Sequence, residues 1–148
     1  GEVSWDYLIG LIDFPASAYG EDVFPLSDNP NNVFFNVFLS KPESINNEII
    51  LFRFFEDENG DGTFQEASED MYALELQGIK PEWHTVSVRY SDLISLVNGQ
   101  PASPNGNGVH EPHKLMQVSV LFLADPATGY SQTLMDNIIF TPNDSIQP

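Results

Sequence analysis

Apolar and polar residues alternate along most of the chain, and this period of two limits the fold more than any other feature of the sequence. Within 71–77, for example, every second residue from Tyr72 to Leu76 is apolar, and Glu75 lies between two of them. Such alternation is typical of β-strands, because successive side chains point to opposite faces of a sheet. The pattern predicts strands at 5–12, 32–40, 47–56, 70–77, 82–90, 115–124 and 133–141.

The segments between these strands carry most of the proline, glycine and asparagine, which favour turns. Only "YSDLISLVNG" resembles a helix, in which Ser91 or Asp92 would cap a short turn that ends at Gly99. Segments 33–39 and 49–55 are mostly apolar on both faces, so we expect them to be central strands. Seven strands with almost no helix predict an all-β fold, namely an antiparallel β-sandwich of the jelly-roll type.

The length of the chain, 148 residues, is that of one domain that can bury a core without disulfides. Cysteine is absent, which excludes disulfide and thiolate chemistry. The chain starts at Gly1, and "GEVSWDYLIG" lacks the charged and apolar regions of a signal peptide. We therefore expect residues 1–148 to form one domain of a longer secreted or surface protein, with neighbouring domains of the same chain as partners.

The chain is strongly acidic, because 22 acidic residues against 5 basic ones give a net charge of -17. A charge of this sign repels the phosphate backbone, so we expect no nucleic-acid partner. The same charge suits neutral ligands or divalent cations, and it equally suits simple solubility. No apolar run reaches the roughly 18 to 20 residues of a membrane-spanning helix.

The most distinctive motif is the acidic run in "FEDENGDGTF", between two predicted strands. Asp57, Asn59 and Asp61 occupy alternate positions and Gly62 follows them, as in the first half of an oxygen-ligand calcium loop. Thr63 would add its backbone carbonyl. Every candidate ligand is a hard oxygen, which favours calcium over zinc.

The second half of the motif departs from an EF-hand. Ser68 occupies the twelfth position, where an EF-hand has a bidentate glutamate, and both flanking segments are predicted strands. We therefore expect a hairpin loop folded around a structural calcium ion, with Glu66, Glu69 or Asp70 from the returning strand completing the ligand shell. The alternative is a solvated turn, rich in aspartate and asparagine, without metal.

Motifs for catalysis are scarce. His110 and His113 lie in a loop between prolines and glycines, without an obvious third metal ligand. The chain has no phosphate-binding glycine loop, nucleophile elbow or zinc-protease motif. Carboxylates are so numerous that pairs of them do not identify a glycosidase. We expect the protein not to be an enzyme.

Several short motifs follow one another as they do in a known family. "FEDENGDGTF", "EDMYALEL", "PEWHTVSVRYSDL" and "LMDNIIFT" give the chain an order that resembles galactose-binding-like jelly-roll domains of Bacteroidetes-type surface lipoproteins, which are similar in fold to carbohydrate-binding modules. The resemblance covers about residues 32–142. It implies an exported, cell-surface location and a glycan-related role without catalysis. It also implies a core position for Trp83 and a calcium ligand at Asp136.

Sugar binding requires a flat aromatic surface and fixed polar groups for the hydroxyls. Tyr130 in "PATGYSQ" is the best aromatic candidate, because it lies in a loop where periodicity does not demand burial. Arg89 is the best polar candidate. The full set of polar candidates, taken from one face of the predicted strands, is Thr85, Ser87, Arg89, Gln117 and Ser119.

These patterns predict a noncatalytic, calcium-stabilised cell-surface domain that binds carbohydrate or supports a glycan-binding assembly. The alternative from another class is a structural or adhesion domain that spaces its neighbours and binds no sugar. A glycosidase fragment is the third interpretation.

Overall fold

The fold is known from a computed structural model, which describes residues 8–16, 26–40, 49–77, 82–97, 99–124 and 134–142. Over these ranges the chain forms β-strands and single turns of 3-10 helix, without an α-helix, and no helix there is long and apolar enough to cross a membrane. The strands are β1 (Leu8–Pro15), β2 (Val33–Ser40), β3 (Ile49–Glu56), β4 (Met71–Gln77), β5 (His84–Arg89), β6 (Leu96–Val97), β7 (Gln100–Pro101), β8 (Leu115–Leu123) and β9 (Leu134–Pro142).

The seven predicted strands correspond to β1 to β5, β8 and β9. The largest difference is in β1, which continues to Pro15 instead of ending at residue 12. Residues 5–7 of that prediction lie outside the described residues. The short strands β6 and β7 were not predicted.

Two antiparallel sheets contain the seven long strands. One sheet has the order β1-β8-β3-β4 and the other has the order β5-β2-β9, while β6 and β7 pair separately. Most neighbours within a sheet are not consecutive in the chain, so the connections cross between the sheets as in Greek-key sandwiches, which include the jelly rolls. The predicted all-β, antiparallel β-sandwich is confirmed, and β2 and β3 are central strands as expected.

Aromatic rings from both sheets meet at the centre of the core. Phe35 of β2 is fully buried, and the centroid of its ring lies 5.0 Å from those of Phe52 and Phe54 of β3. Phe140 of β9 is a further neighbour, at 5.5 Å. Since Phe52 and Phe54 belong to the four-stranded sheet, these contacts hold the two sheets together.

The outer face of the four-stranded sheet is also apolar. Leu51, Ala73 and Leu121 belong to a second buried cluster there, and Leu96 of β6 packs against it. The backbone N–H of Ala73 donates to the carbonyl of Ile94 at 2.7 Å, which attaches the segment before β6 to this sheet. This cover explains why 49–55 is apolar on both faces.

The predicted helical turn in "YSDLISLVNG" is wrong beyond its first residues. Tyr90–Asp92 forms one turn of 3-10 helix, after which Leu93 is extended and only 2% exposed. The burial of Leu93 and the pairing of Ile94 with Ala73 override the weak local preference for helix.

The core position that the family resemblance implied for Trp83 is also wrong, because this side chain is 55% exposed. Val86 and Val88 of β5 pack against the core instead. Trp83 differs from them by an odd number of positions, so strand alternation directs it away from the core.

Replacing Phe35 by alanine should lower the free energy of unfolding by about 3–5 kcal/mol, because it removes a fully buried ring at the junction of the sheets. Denaturant unfolding followed by circular dichroism measures this loss. The control is Leu11→Ala on β1, where the side chain is 56% exposed, and it should change stability by less than about 1 kcal/mol. Equal losses in the two variants would contradict the assigned core.

Candidate metal centre and adjacent groove

The acidic run forms a long loop between β3 and β4 at one end of the sandwich. Glu56 ends β3, and its N–H donates to the carbonyl of Asp70 at 3.0 Å, which closes the base of the loop. The N–H of Asp57 donates to the carbonyl of Lys114 at 2.9 Å, so the loop is also attached to the segment before β8. Because β3 and β4 pair antiparallel, the run is a hairpin loop, as predicted.

Three carboxylates converge on the exposed side of this loop. Asp57, Asp61 and Glu69, called the outer cluster below, each have an oxygen within 4.8 Å of the other two. All three were predicted as calcium ligands. Carboxylates this close repel one another unless a cation or a proton lies between them, so the residues present fit a metal ion.

Backbone donors of the loop hold Asp57 and Asp61 in place. The two oxygens of Asp57 accept from the N–H groups of Gly60 at 3.1 Å and Gly62 at 2.8 Å. Oδ1 of Asp61 accepts from the N–H of Thr63 at 2.9 Å, and this bond lowers the pKa of Asp61. Gly62 has a φ of +82°, so the bend at this position favours glycine.

Glu69 supplies the carboxylate that Ser68 cannot. It is 3% exposed, and its oxygens accept from the N–H groups of Gln65 at 2.7 Å and Asn59 at 3.2 Å. Of the three residues predicted to complete the shell from the returning strand, Glu69 is the one that the structure brings to Asp57 and Asp61.

Two other predicted ligands, Asn59 and Thr63, hydrogen-bond to the outer cluster, and a third, Glu66, lies on the same loop. Asn59 donates through Nδ2 to Oδ2 of Asp61 at 3.3 Å, and its Oδ1 accepts from the N–H of Asp61 at 3.1 Å. Thr63 is exposed and contributes its N–H to Asp61. Glu66 is exposed, and its charge acts on Arg53.

Asp136, the ligand implied by the family resemblance, lies on β9 of the other sheet. Its backbone pairs with Phe38 near the end of β2. The acidic loop lies at the opposite end of that sheet, because Tyr90 follows the end of β5 that pairs with Phe34 and donates to Glu56 at 2.7 Å. The structure therefore does not bring the backbone of Asp136 to the acidic loop.

Three further carboxylates converge on the inner side of the loop. Glu56, Glu58 and Asp70, called the inner cluster below, also have one oxygen each within 4.8 Å of the other two. Glu56 and Asp70 are fully buried, and Glu58 is half-buried. The sequence neighbours Glu69 and Asp70 thus belong to different clusters.

A second loop, 105–111, holds Asp70 with backbone donors. The N–H of Gly106 donates to Oδ1 at 2.7 Å, and the N–H of Gly108 donates to Oδ2 at 2.9 Å. The hydroxyl of Tyr72 donates to Oδ2 at 3.5 Å. Burial, followed by the negative charge of Asp70, raises the pKa of Tyr72 well above its usual range.

Glu56 has one bonded oxygen and one open oxygen. Oε2 accepts from the hydroxyl of Tyr90 at 2.7 Å and from the N–H of Glu111 at 2.8 Å. Oε1 is buried and accepts no hydrogen bond from any residue that the structure describes. Burial raises the pKa of Glu56 from 4.5 to about 7, although the two hydrogen bonds lower it, and the charges of Glu111 and Asp70 add to the rise.

Glu58 lies against Gly106, and its carboxylate occupies the space that a Cβ atom at this glycine would need. Its Oε1 accepts from the N–H of Asn107 at 3.2 Å. Burial and a hydrogen bond with Asp70 raise the pKa of Glu58. Glycine at position 106 therefore permits the close approach of the two loops.

The lysine beside the inner cluster is already paired. Nζ of Lys114 lies 2.9 Å from Oε2 of Glu111, and Nδ2 of Asn107 donates to Oε1 of the same glutamate at 2.6 Å. Burial alone would raise the pKa of Glu111, but these two partners outweigh it and lower the pKa. Lys114 thus neutralises Glu111 rather than the inner cluster.

Glu56 and Glu58 were not predicted from the sequence as members of the site. Strand alternation in the sequence could have predicted the burial of Glu56, because this residue is separated by an even number of positions from Phe52 and Phe54, whose rings occupy the core. A carboxylate directed into a core by strand alternation requires hydrogen bonds or a cation.

The two loop histidines occupy structural positions. The ring of His110 stacks on that of Tyr72 with centroids 3.9 Å apart, and its Nε2 lies 2.6 Å from the carbonyl oxygen of Leu93. His113 lies in the 3-10 turn Pro112–Lys114. Neither histidine joins either acidic cluster of the described residues.

The predicted polar ligand face is divided between the two sheets. Thr85, Ser87 and Arg89 lie on β5, whereas Gln117 lies on β8 of the four-stranded sheet. Their side chains point away from the core, so those on β5 and that on β8 lie on opposite outer faces of the sandwich. These residues do not form one surface. The predicted aromatic platform, Tyr130, lies outside the described residues.

The polar side chains on β5 are partly engaged with β2. Oγ of Ser87 donates to Oδ1 of Asn36 at 2.5 Å, which helps to satisfy a buried amide. The guanidinium of Arg89 lies 5.1 Å from the ring centroid of Phe34, but Arg89 remains exposed. Arg89 is therefore the accessible member of this group.

A groove lies beside the acidic loop, on the outer face of the four-stranded sheet, with a volume of about 530 Å³. The rings of Phe55 and Phe64 meet edge to face there, with centroids 5.0 Å apart. Polar groups line the same groove, including Arg53, Glu66 and Asn105. This groove was not predicted from the sequence, because its walls come from the acidic loop, β6 and the segment 102–105.

No protein-family model matches this chain, and neither a curated protein nor a solved structure matches it.

In the presence of chelator, the contribution of Glu56 to stability should fall by about 3 kcal/mol as the pH rises from about 4.5 to about 7. Between these values the native state keeps a proton that the unfolded chain has released, so the contribution is complete below the unfolded pKa and is lost as the pH rises through the folded pKa. Denaturant unfolding at about pH 5 and about pH 8 measures the change.

Glu56→Gln should lack this loss, because its amide oxygen can still accept from Tyr90 and from the N–H of Glu111 but does not titrate. The control, Glu82→Gln, changes an exposed glutamate and should keep the wild-type pH dependence. Parallel pH profiles for Glu56→Gln and the wild type would show that Glu56 is not the group responsible.

Proposed function

We propose that this domain is a noncatalytic, calcium-stabilised recognition module that binds carbohydrate in the groove beside the acidic loop. The observation that carries the proposal is the composition of the groove. Apolar rings and fixed polar groups lie together in a concave site next to a loop suited to a cation.

Calcium is the ion that the outer cluster suits best. Its side-chain ligands are carboxylates, and the adjacent Asn59 and Thr63 can offer further oxygens. Hard oxygen donors favour calcium or magnesium over zinc, and three carboxylates around one ion favour calcium, because magnesium usually keeps several waters and binds one or two carboxylates. Because Ser68 occupies the position at which an EF-hand loop has its bidentate glutamate, the site should be weak, with an affinity of the order found in extracellular calcium modules. An exported or cell-surface location is therefore part of the proposal.

Carbohydrate is the ligand class that the groove suits best. The rings of Phe55 and Phe64 can cover the apolar side of a sugar, while Arg53, Glu66 and Asn105 can bond its hydroxyls. Phe64 and Glu66 are part of the acidic loop itself. An ion in the outer cluster would therefore fix the position of one wall of the groove.

The placement of the carboxylates supports binding without catalysis. Glycosidases use two carboxyl groups about 5–9.5 Å apart that both reach the substrate. In this domain Glu56 and Asp70 are fully buried. Glu69 lines the groove, but it is 3% exposed and each of its oxygens accepts a hydrogen bond from a backbone N–H. Glu66 is the exposed carboxylate of the groove, and it faces Arg53.

Glycan-array binding tests the ligand class. The wild-type domain should bind a subset of glycans, and Phe64→Ala or Arg53→Ala should weaken that binding by about tenfold or more. Arg89→Ala is the matched variant, because it removes an arginine from the outer face of the other sheet. A loss with Arg89→Ala but not with Arg53→Ala would move the site to β5, and a flat array would favour the spacer function.

Thermal unfolding with and without chelator tests the calcium loop. Chelator should lower the Tm of the wild type by about 5 °C or more, since ions that bind only the native state stabilise it. The double variant Asp57→Asn with Asp61→Asn should reduce this difference. The control removes two charges from exposed positions elsewhere, Asp28→Asn with Asp92→Asn, and should respond like the wild type. The same Tm for the wild type in calcium and in chelator would contradict the proposal.

A further inference from the structure

We propose that the inner cluster is a second cation site, in which Glu56, Glu58 and Asp70 bind a divalent cation that prefers oxygen ligands, with Ca²⁺ as the first candidate. The ligands of this site are different residues from those of the outer cluster. The inference does not depend on carbohydrate binding.

The spacing of the three carboxylates fits one shared ion. Two oxygens that both bind Ca²⁺ at about 2.4 Å cannot lie more than about 4.8 Å apart. One oxygen from each of Glu56, Glu58 and Asp70 meets this limit. The ligands come from the end of β3, the loop and the residue before β4, so the site depends on the fold.

The open oxygen of Glu56 is an independent sign of a missing ligand. The side chain is fully buried, and within the described ranges Oε1 has no hydrogen-bond donor. Leaving a buried carboxylate oxygen without a donor or a cation is unfavourable, and native proteins seldom do so. Oε2 is already bonded to Tyr90 and to the N–H of Glu111, so the carboxylate cannot turn away without losing both bonds.

Backbone donors position the other two carboxylates before any ion arrives. Asp70 accepts from Gly106 and Gly108, and Glu58 accepts from Asn107. Oδ1 of Asp70 and Oε1 of Glu58 each accept one of these bonds and keep a second lone pair, which leaves them able to bind a metal. Such outer hydrogen bonds orient metal ligands in proteins generally.

The chemistry of the site selects the class of ion. The three side chains offer oxygen alone, whereas zinc sites usually include nitrogen or sulfur. Lys114, the neighbouring cation, is held by Glu111 at 2.9 Å. A bound divalent ion would neutralise the inner cluster and would join the β3–β4 loop to loop 105–111.

Isothermal titration calorimetry with CaCl₂ tests the proposal. The wild-type domain should bind two ions, and the variant Asp57→Asn with Asp61→Asn should keep one of them. Glu56→Gln and Glu58→Gln should each weaken the inner site by about tenfold or more and leave the outer site intact. The control is Glu75→Gln, which changes a half-buried carboxylate of β4 that pairs with Leu51, away from the loop, and it should keep both ions.

Gly106→Ala is a second variant that leaves all charges in place. The added Cβ would displace the carboxylate of Glu58, so this variant should also weaken the inner ion. Unchanged binding of two ions in Glu56→Gln, Glu58→Gln and Gly106→Ala would overturn the proposal. A wild-type domain that binds one ion, lost in Asp57→Asn with Asp61→Asn, would overturn it as well and would leave the outer site standing.

Terbium luminescence identifies which ion is which. Tyr90 and Tyr72 hydrogen-bond to carboxylates of the inner cluster, so Tb³⁺ bound there should be excited through tyrosine. The emission should persist in Asp57→Asn with Asp61→Asn and be strongly reduced in Glu56→Gln. The reverse result would assign the tyrosine-sensitised ion to the outer cluster and overturn the proposal.

Discussion

The burial of the Glu56 carboxylate at the end of β3 is the interaction on which the rest of this end of the molecule depends. Strand alternation directs the side chain into the core, where it is fully buried. Tyr90 after β5 and the N–H of Glu111 before β8 then become its donors. Asp70, the residue before β4, and Gly106 extend the same network. The buried carboxylate of Glu56 thus hydrogen-bonds to segments that are far apart in the sequence, and these bonds attach the acidic loop to the sandwich.

Much of the fold could be predicted from the sequence, because strand alternation is a local signal. It indicated all seven long strands and the central positions of β2 and β3. It did not reveal which strands share a sheet, so Gln117 and Arg89 were expected on one surface and lie on two. The prediction of a helical turn after Tyr90 was wrong because Leu93 is buried against distant parts of the chain, and a local sequence pattern does not reveal such contacts. The exposed position of Trp83 agrees with strand alternation and disagrees with the core position that the family resemblance implied.

The same distinction between local and distant signals applies to the candidate site. Asp57 and Asp61 could be predicted because a calcium loop has fixed local spacing, and the structure brings Glu69 to them. The inner cluster could not be predicted as a whole, since it depends on contacts between the acidic loop and loop 105–111. The groove was missed for a similar reason. The outer cluster and the groove would be coupled through the acidic loop, because Phe64 lies on the loop that a cation would fix.

The central claim is that the acidic residues at this end of the sandwich are cation ligands rather than a solvated turn. The most direct measurement is a crystal structure of the domain grown with calcium, with anomalous diffraction used to locate the ions. We expect one anomalous peak among Asp57, Asp61 and Glu69, and a second beside Oε1 of Glu56. Ordered water in place of both peaks, with the same arrangement of carboxylates, would contradict the claim.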